Sequence, residues 1–175
     1  NVFEHFPRLG DALGFHNHNL VLTRQTLSDI VYTATEKDRG AGLFAPHLEE
    51  CGGLITAVPG LALVVFTADC TPLLFWDEKT GAVGAAHSGW RGTVSGIGAR
   101  VVEAMGREFG SRPQDIHAAI GPNIGLCHFE TDEDVPQAFR AVYGSQMEPW
   151  ITTDGKKYHL DLKAINRQIL LNAGV

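Results

Sequence analysis

The stretch Thr67–Gly92, TADCTPLLFWDEKTGAVGAAHSGWRG, constrains the fold more than any other part of this chain. Two runs of β-favouring residues, Pro72–Trp76 and Ala82–His87, flank Asp77-Glu78-Lys79-Thr80-Gly81, where charges and a glycine break the pattern. An antiparallel hairpin is predicted. A four-residue loop, Asp77–Thr80, centred between Glu78 and Lys79, would set Cys70 directly opposite His87, with Cβ atoms about 4.5–5.5 Å apart. At that separation a thiol and an imidazole can hydrogen-bond or grip one metal ion. A one-residue slip of the turn would put them on opposite faces, because side-chain direction alternates along a strand.

Beyond His87, Ser88-Gly89-Trp90-Arg91-Gly92-Thr93 leads from the strand end into a helical repeat of Val94, Ile97, Val101, Met105 and Phe109. A helix start offers free N–H groups and the positive end of the dipole, Gly89 and Gly92 permit close approach, and Arg91 adds charge-assisted donors, so this turn reads as a phosphate cradle. Asp69 is a candidate to orient the imidazole or a ligand, although a carboxylate at a strand start more often bonds nearby backbone. Free cysteines are also common as small buried hydrophobes, and strand histidines as structural residues. A second glycine loop, Gly121–His128, should reach the same end of the sheet. Its Cys127 and His128, being adjacent on an extended chain, should point apart and make poor joint ligands. His5, His16, His18, His47, His117 and His159 lack partner spacing and are expected to be structural or on the surface.

Further strands are predicted at Leu20–Thr23, Asp29–Ala34, Gly53–Ala57, Ala62–Thr67 and Ile116–Ile120, with helices over Asn1–Leu13, Thr93–Phe109, Val135–Val142 and Asp161–Asn172. These do not alternate as βαβ units, so the expected class is α+β with mixed sheets in layers. With 175 residues, 44% of them apolar, the chain can bury one substantial core, and no break in composition divides it. It is treated as a single domain, 1–175. The formal charge of -6, with scattered basic residues, argues against a nucleic-acid partner. No apolar run approaches the roughly 20 residues that cross a bilayer. Cys51, Cys70 and Cys127 form an odd, sparse set that suits a reducing compartment, so a cytoplasmic protein is expected.

The motifs Thr67–Cys70, Ala86–Thr93 and Ile120–Cys127, with Leu54-Ile55-Thr56, Pro59-Gly60 and Phe129-Glu130, resemble the signature of the laccase-domain (polyphenol oxidase) purine nucleoside phosphorylases. The match covers nearly the whole chain. The resemblance implies a layered α/β/β/α sandwich and a cytosolic enzyme. It also implies phosphorolysis of adenosine or inosine to base and pentose 1-phosphate, with adenosine deamination as a companion activity. The family's metal, usually taken as zinc, is bound by one Cys and two His, and Cys70 and His87 match two of these ligands. The third lies in a Q-x-H motif, and here Gln25-Thr26-Leu27 carries leucine. The resemblance thus assigns Cys70, His87 and Arg91 to catalysis, and Asp69, Gly89, Trp90, Gly92 and Thr93 to substrate. Leu27 opens an alternative, a nucleoside-binding homologue with impaired catalysis. Copper-dependent oxidation of phenols, the family's historical label, is a third alternative, but one Cys and one His are too few for a multicopper centre. Family members usually carry further N-terminal strands and a C-terminal F-F-S-x-R-R segment, neither of which is seen in this sequence, so a piece of a longer chain is expected. Base preference and oligomeric state are not legible.

Overall fold

A computed structural model describes residues 5–175. The central element is a five-stranded mixed sheet in the order β2-β4-β7-β6-β8, made of β2 (Val31–Thr33), β4 (Gly53–Thr56), β7 (Val83–Ser88), β6 (Thr71–Asp77) and β8 (Ile116–Ile120). A three-stranded parallel sheet, β3-β1-β5, combines β3 (Leu48–Cys51), β1 (Leu20–Gln25) and β5 (Ala62–Val64). A small antiparallel sheet runs β10 (Ile151–Asp154), β11 (Lys157–Leu160), β9 (Glu130–Thr131). The helices are α1 (His5–Leu13), α2 (Trp90–Val94), α3 (Ile97–Phe109), α4 (Asp134–Tyr143) and α5 (Leu162–Asn172). The α+β class with mixed sheets is as expected from the sequence.

Alternation along β6 and β7 decides what covers each face of the central sheet. Leu73, Phe75 and Ala86 point to one side, where they pack with Ile97, Val101, Met105 and Leu170 from α3 and α5. Gly84 lets α3 come close, since a Cβ there would lie 2.9 Å from Val101 Cγ1. On the other side Leu54 of β4 joins Val21, Cys51 and Leu61 in the core shared with the three-stranded sheet. A third cluster, including Phe139, Met147, Leu162 and Ile165, binds α4 and α5 to the small sheet.

Several boundaries differ from those read in the sequence. The expected helix Thr93–Phe109 is two helices, α2 and α3, because Gly96 sits between them at φ 73°. Of the expected helix Asn1–Leu13, His5–Leu13 is helical and residues 1–4 lie outside the described residues. β5 ends at Val64 rather than Thr67, and the Gln25 side chain bonds both the N–H and the carbonyl of Phe66 just beyond it. Strands β3, β9, β10 and β11 were not anticipated. They are short, and only the burial pattern of assembled neighbours distinguishes them from loops.

Candidate functional site

The β6–β7 hairpin forms, but its register differs by two residues from the one expected. His87 faces Pro72, and Ser88 faces Thr71, so Cys70 lies one residue before β6 and diagonal to His87. Asp77 explains the shift. Its N–H pairs with the Ala82 carbonyl, and its carboxylate accepts bonds from the N–H groups of Lys79 and Thr80 and from the Thr80 hydroxyl. Asp77 therefore ends the strand rather than opening the turn, and Gly81, at φ 73°, becomes the last loop residue. A shift of two preserves side-chain parity, so Cys70 and His87 stay on one face, the face turned toward the three-stranded sheet.

Gly89 is where the site closes up. A Cβ built on it would lie 2.9 Å from Leu27 Cδ2, 3.1 Å from Cys70 Sγ and 3.7 Å from His87 Cε1. Three residues far apart in sequence thus border one small space. Leu27 reaches it from the segment after β1 and is 49% exposed, so it stands at the mouth. His87 is 8% exposed, and its Nδ1 is buried with no hydrogen-bond partner. Burial lowers the His87 pKa and raises that of the Cys70 thiol, with the Asp69 charge pushing the thiol in the same direction. Both groups are therefore held neutral, unlike a thiolate–imidazolium pair primed for nucleophilic attack.

The turn that follows is held from behind by a buried polar network. The Ser88 hydroxyl donates to Asn166 Oδ1 at 2.9 Å and touches Thr93 Oγ1 at 2.9 Å, while Thr93 Oγ1 also meets the Gly89 carbonyl at 2.9 Å. Asn166 Nδ2 completes the set through Thr93 Oγ1 and the Leu162 carbonyl. The Tyr143 hydroxyl points at the carbonyls of Thr93 and Val94. Asn166, 1% exposed, thus ties α5 to both ends of the turn. Ser88, Tyr143 and Asn166 were missed in the sequence. The i, i+4 bond of Asn166 to Leu162 needs the helix, and nothing local signals its distant partners.

The residues assigned to substrate divide accordingly. Gly89 borders the space. Gly92 and Thr93 are buried, and the Thr93 hydroxyl is committed to the network, so these two shape the turn rather than face a ligand. Trp90 packs against the cluster that holds Phe139 and Ile165, and the exposed Arg91 lies over the Trp90 ring, 4.1 Å from its centroid. Among the described residues no acidic side chain pairs with Arg91. The helix carrying this turn is α2, five residues long, so its dipole is weaker than that of the long helix expected. Asp69 is exposed, and its backbone carbonyl accepts the Ile124 N–H, which brings the Gly121–His128 loop to this end of the sheet as anticipated.

Cys127 and His128 do not point apart. The N–H groups of His128 and Phe129 both return to the Gly125 carbonyl, so the chain turns and sets Cys127 Sγ 2.9 Å from His128 Nδ1. The extended backbone assumed for them is absent.

The family's zinc does not fit these residues. Among the described residues no group of three His, Cys, Asp or Glu stands close enough to hold a metal ion. Cys70 and His87 offer two donors, and Leu27, which borders the same space, offers none, whereas a catalytic zinc ordinarily takes three protein ligands.

A family profile described as multi-copper polyphenol oxidoreductase laccase matches residues 1–175. A purine nucleoside phosphorylase of Deinococcus radiodurans is 41% identical over 174 residues, which are 99% of this chain and 64% of that protein. A protein named adenosine deaminase RL5, from an unknown prokaryotic organism, is 37% identical over 170 residues, 95% of this chain and 64% of its own length. Among solved structures, the Bacillus licheniformis hypothetical protein YfiH superposes with a TM-score of 0.94 at 37% identity, covering 99% of this chain and 66% of that one. The chain therefore spans just under two thirds of the length of these relatives.

Proposed function

The chain belongs to the multi-copper polyphenol oxidoreductase laccase family, and on that footing we propose that its pocket serves purine nucleoside phosphorolysis, splitting adenosine or inosine with phosphate into free base and pentose 1-phosphate. The observation that carries this is the convergence of Cys70, His87 and Leu27 on Gly89, at the head of a turn bearing Arg91, which has no acidic partner among the described residues. The names of the relatives supply the substrate class.

In this reaction a phosphate oxygen attacks the anomeric carbon as the glycosidic bond breaks, and the bonding pair leaves with the base. The chain's part is positioning and charge stabilisation. Arg91 orients the phosphate and holds it against the sugar. His87, kept neutral by burial, offers a hydrogen bond to the departing base. Deamination, printed in the name of one relative, needs an activated water, and the carbon at Leu27 makes it the weaker activity here.

Incubation with inosine and phosphate, followed by 31P NMR for pentose 1-phosphate, tests the proposal. Base release should require phosphate, and Arg91→Ala should raise the KM for phosphate by about tenfold. Base release without phosphate, or none even after Leu27→His, would remove it. A second reading, a binding protein with no turnover, is favoured by the Leu27 methyl in the donor position. It predicts nucleoside binding at the same pocket with no base released.

A further inference from the structure

We infer that the hollow between α3, α4 and α5 is a binding site for a small organic ammonium ion, coupled through Tyr143 to the Gly89–Thr93 turn. It lies on the helical side of the central sheet, away from Cys70 and His87, and has a volume of about 410 Å3. Hollows that hold small ligands run from about 300 to 1,000 Å3, so one ring with a short side chain fits. Val102, Pro113 and Ile169 give it apolar walls. Its charge is of one sign. Glu103 borders it, as do Gly106 and Ala173 at the ends of α3 and α5, where the helix dipoles are negative. No Lys, Arg or His lines it among the described residues.

The other side-chain polar groups at the hollow are already engaged. The Asn172 amide accepts from Gln168 and donates to Gln146, and Ser111 Oγ meets Thr80 Oγ1 at 3.2 Å. Glu103 Oε2 receives Arg100 at 3.1 Å, which leaves Oε1 for an ammonium group. An anion would instead meet a carboxylate and two negative helix ends. The coupling runs through Tyr143. It borders the hollow together with Gly96, the residue between α2 and α3, and its hydroxyl points at the carbonyls of Thr93 and Val94 from 3.1 and 3.0 Å. Burial raises the Tyr143 pKa, so the hydroxyl stays a donor. A Cβ on Gly96 would lie 3.4 Å from that hydroxyl. A ring pressed against Tyr143 and Gly96 therefore shifts the backbone that carries Arg91. That the shift changes phosphate affinity rests on the function proposed above; the binding site does not.

Phenethylamine, cationic near neutral pH, is the probe, with neutral 2-phenylethanol and anionic phenylacetate as controls, followed by amide 1H–15N spectra of the full chain. The amine should shift Gly96, Glu103, Gly106 and Ala173, bind about tenfold more tightly than the alcohol, and leave phenylacetate without saturable shifts. Glu103→Gln should weaken the amine by about three- to fivefold, a modest factor because the carboxylate is exposed, and leave the alcohol unaffected. Ala99→Leu, which fills the hollow, should abolish binding of both, with thermal melts checking the fold. The amine should also shift the amides of Gly92 and Thr93, and in Tyr143→Phe those distant shifts should vanish while the local ones persist. Equal affinity for amine and alcohol, indifference to Glu103→Gln, or shifts that survive Ala99→Leu would overturn the site. Shifts of the same amides that follow protein concentration instead of amine would give the hollow to a second copy of the chain, and overturn it too. Gly92 shifts that persist in Tyr143→Phe would overturn the coupling. Amine binding and coupling in a chain that releases no base would count against phosphorolysis and leave this site standing.

Discussion

The two ends of the β6–β7 hairpin are built on opposite principles. At the closed end Asp77 is fully buried and every oxygen is used, with bonds from Ser111, Thr80 and two backbone N–H groups lowering its pKa to about 2. At the open end, about 17 Å of strand away on a rise of about 3.3 Å per residue, His87 Nδ1, Thr71 Oγ1 and Asn123 Oδ1 are buried without partners among the described residues. Most buried polar groups in folded proteins are satisfied, so a cluster of exceptions asks for an explanation. Asp77 stabilises the hairpin, and on the function proposed above the unpartnered groups of the open end are capacity kept for a ligand. Substitutions at the two ends should therefore report on different quantities: stability at one, binding at the other.

The largest effect is expected where the open end is one donor short. Leu27→His should raise zinc affinity by about 100-fold with little change in Tm, because Leu27 stands half-exposed at the mouth and contributes modestly to the core. Competition with a chromophoric zinc chelator measures it. If zinc affinity does not move, Leu27 is misplaced as the vacant ligand position, and the contrast between the two ends loses its chemical basis.

At the closed end Asp77→Ala should cost on the order of 2 kcal/mol in urea unfolding, with no change in metal or nucleoside binding. The pH dependence has a definite sign. A carboxyl whose folded pKa lies below its unfolded value stabilises the fold above the unfolded pKa, about 4, and loses that contribution as pH falls toward the folded value. Stability should therefore decline from about pH 4 to pH 2 in the parent chain, and the decline should flatten in Asp77→Ala. A slope unchanged by the substitution would mean that another carboxyl governs acid unfolding.

Between these extremes lies Asn166, which is structural in place and functional in reach. Asn166→Leu removes the tie from α5 to Ser88 and Thr93 and should cost about 1–3 kcal/mol. It should also raise the KM for phosphate more than that for nucleoside, since the Gly89–Thr93 turn loses its backing. Equal changes in both constants would make Asn166 a packing residue only.

How much of this was legible in the sequence follows the same division. The hairpin, its shared Cys70–His87 face and the approach of the Gly121–His128 loop were readable because alternation and turn chemistry are local. The register was not, because it hinged on whether Asp77 opened the turn or ended the strand, and alternation along the flanking runs fits both until the Asp77 carboxylate is seen to cap Lys79 and Thr80. The break between α2 and α3 was hidden because apolar spacing continues across Gly96. Cys127 and His128 were misjudged for a related reason: parity arguments hold for extended chain, and the Gly125 carbonyl gathers this segment into a turn. The motif itself exposed the carbon at Leu27, but its consequence needed Gly89 to show that the three side chains meet.

Thr71 offers the smallest effect and the sharpest test of what an orphaned group means. It is fully buried opposite Ser88, on the face turned to the helices, and its hydroxyl has no partner. Valine has nearly the same shape. Were the hydroxyl idle, Thr71→Val would relieve the desolvation penalty and stabilise the fold by about 1 kcal/mol, with nucleoside and phosphate affinity unchanged. A hydroxyl kept for a bound ligand predicts a different pairing: the same gain in stability for the free chain, accompanied by weaker ligand binding, because the partner that pairs with it is lost. Position favours the first outcome. Thr71 faces away from Cys70, His87 and Leu27, so the reserve at the open end belongs to the His87 side of the sheet. Stability gained with affinity intact would confine the binding role to that face. Stability gained with affinity lost would extend it through the sheet to the Ser88–Asn166 network.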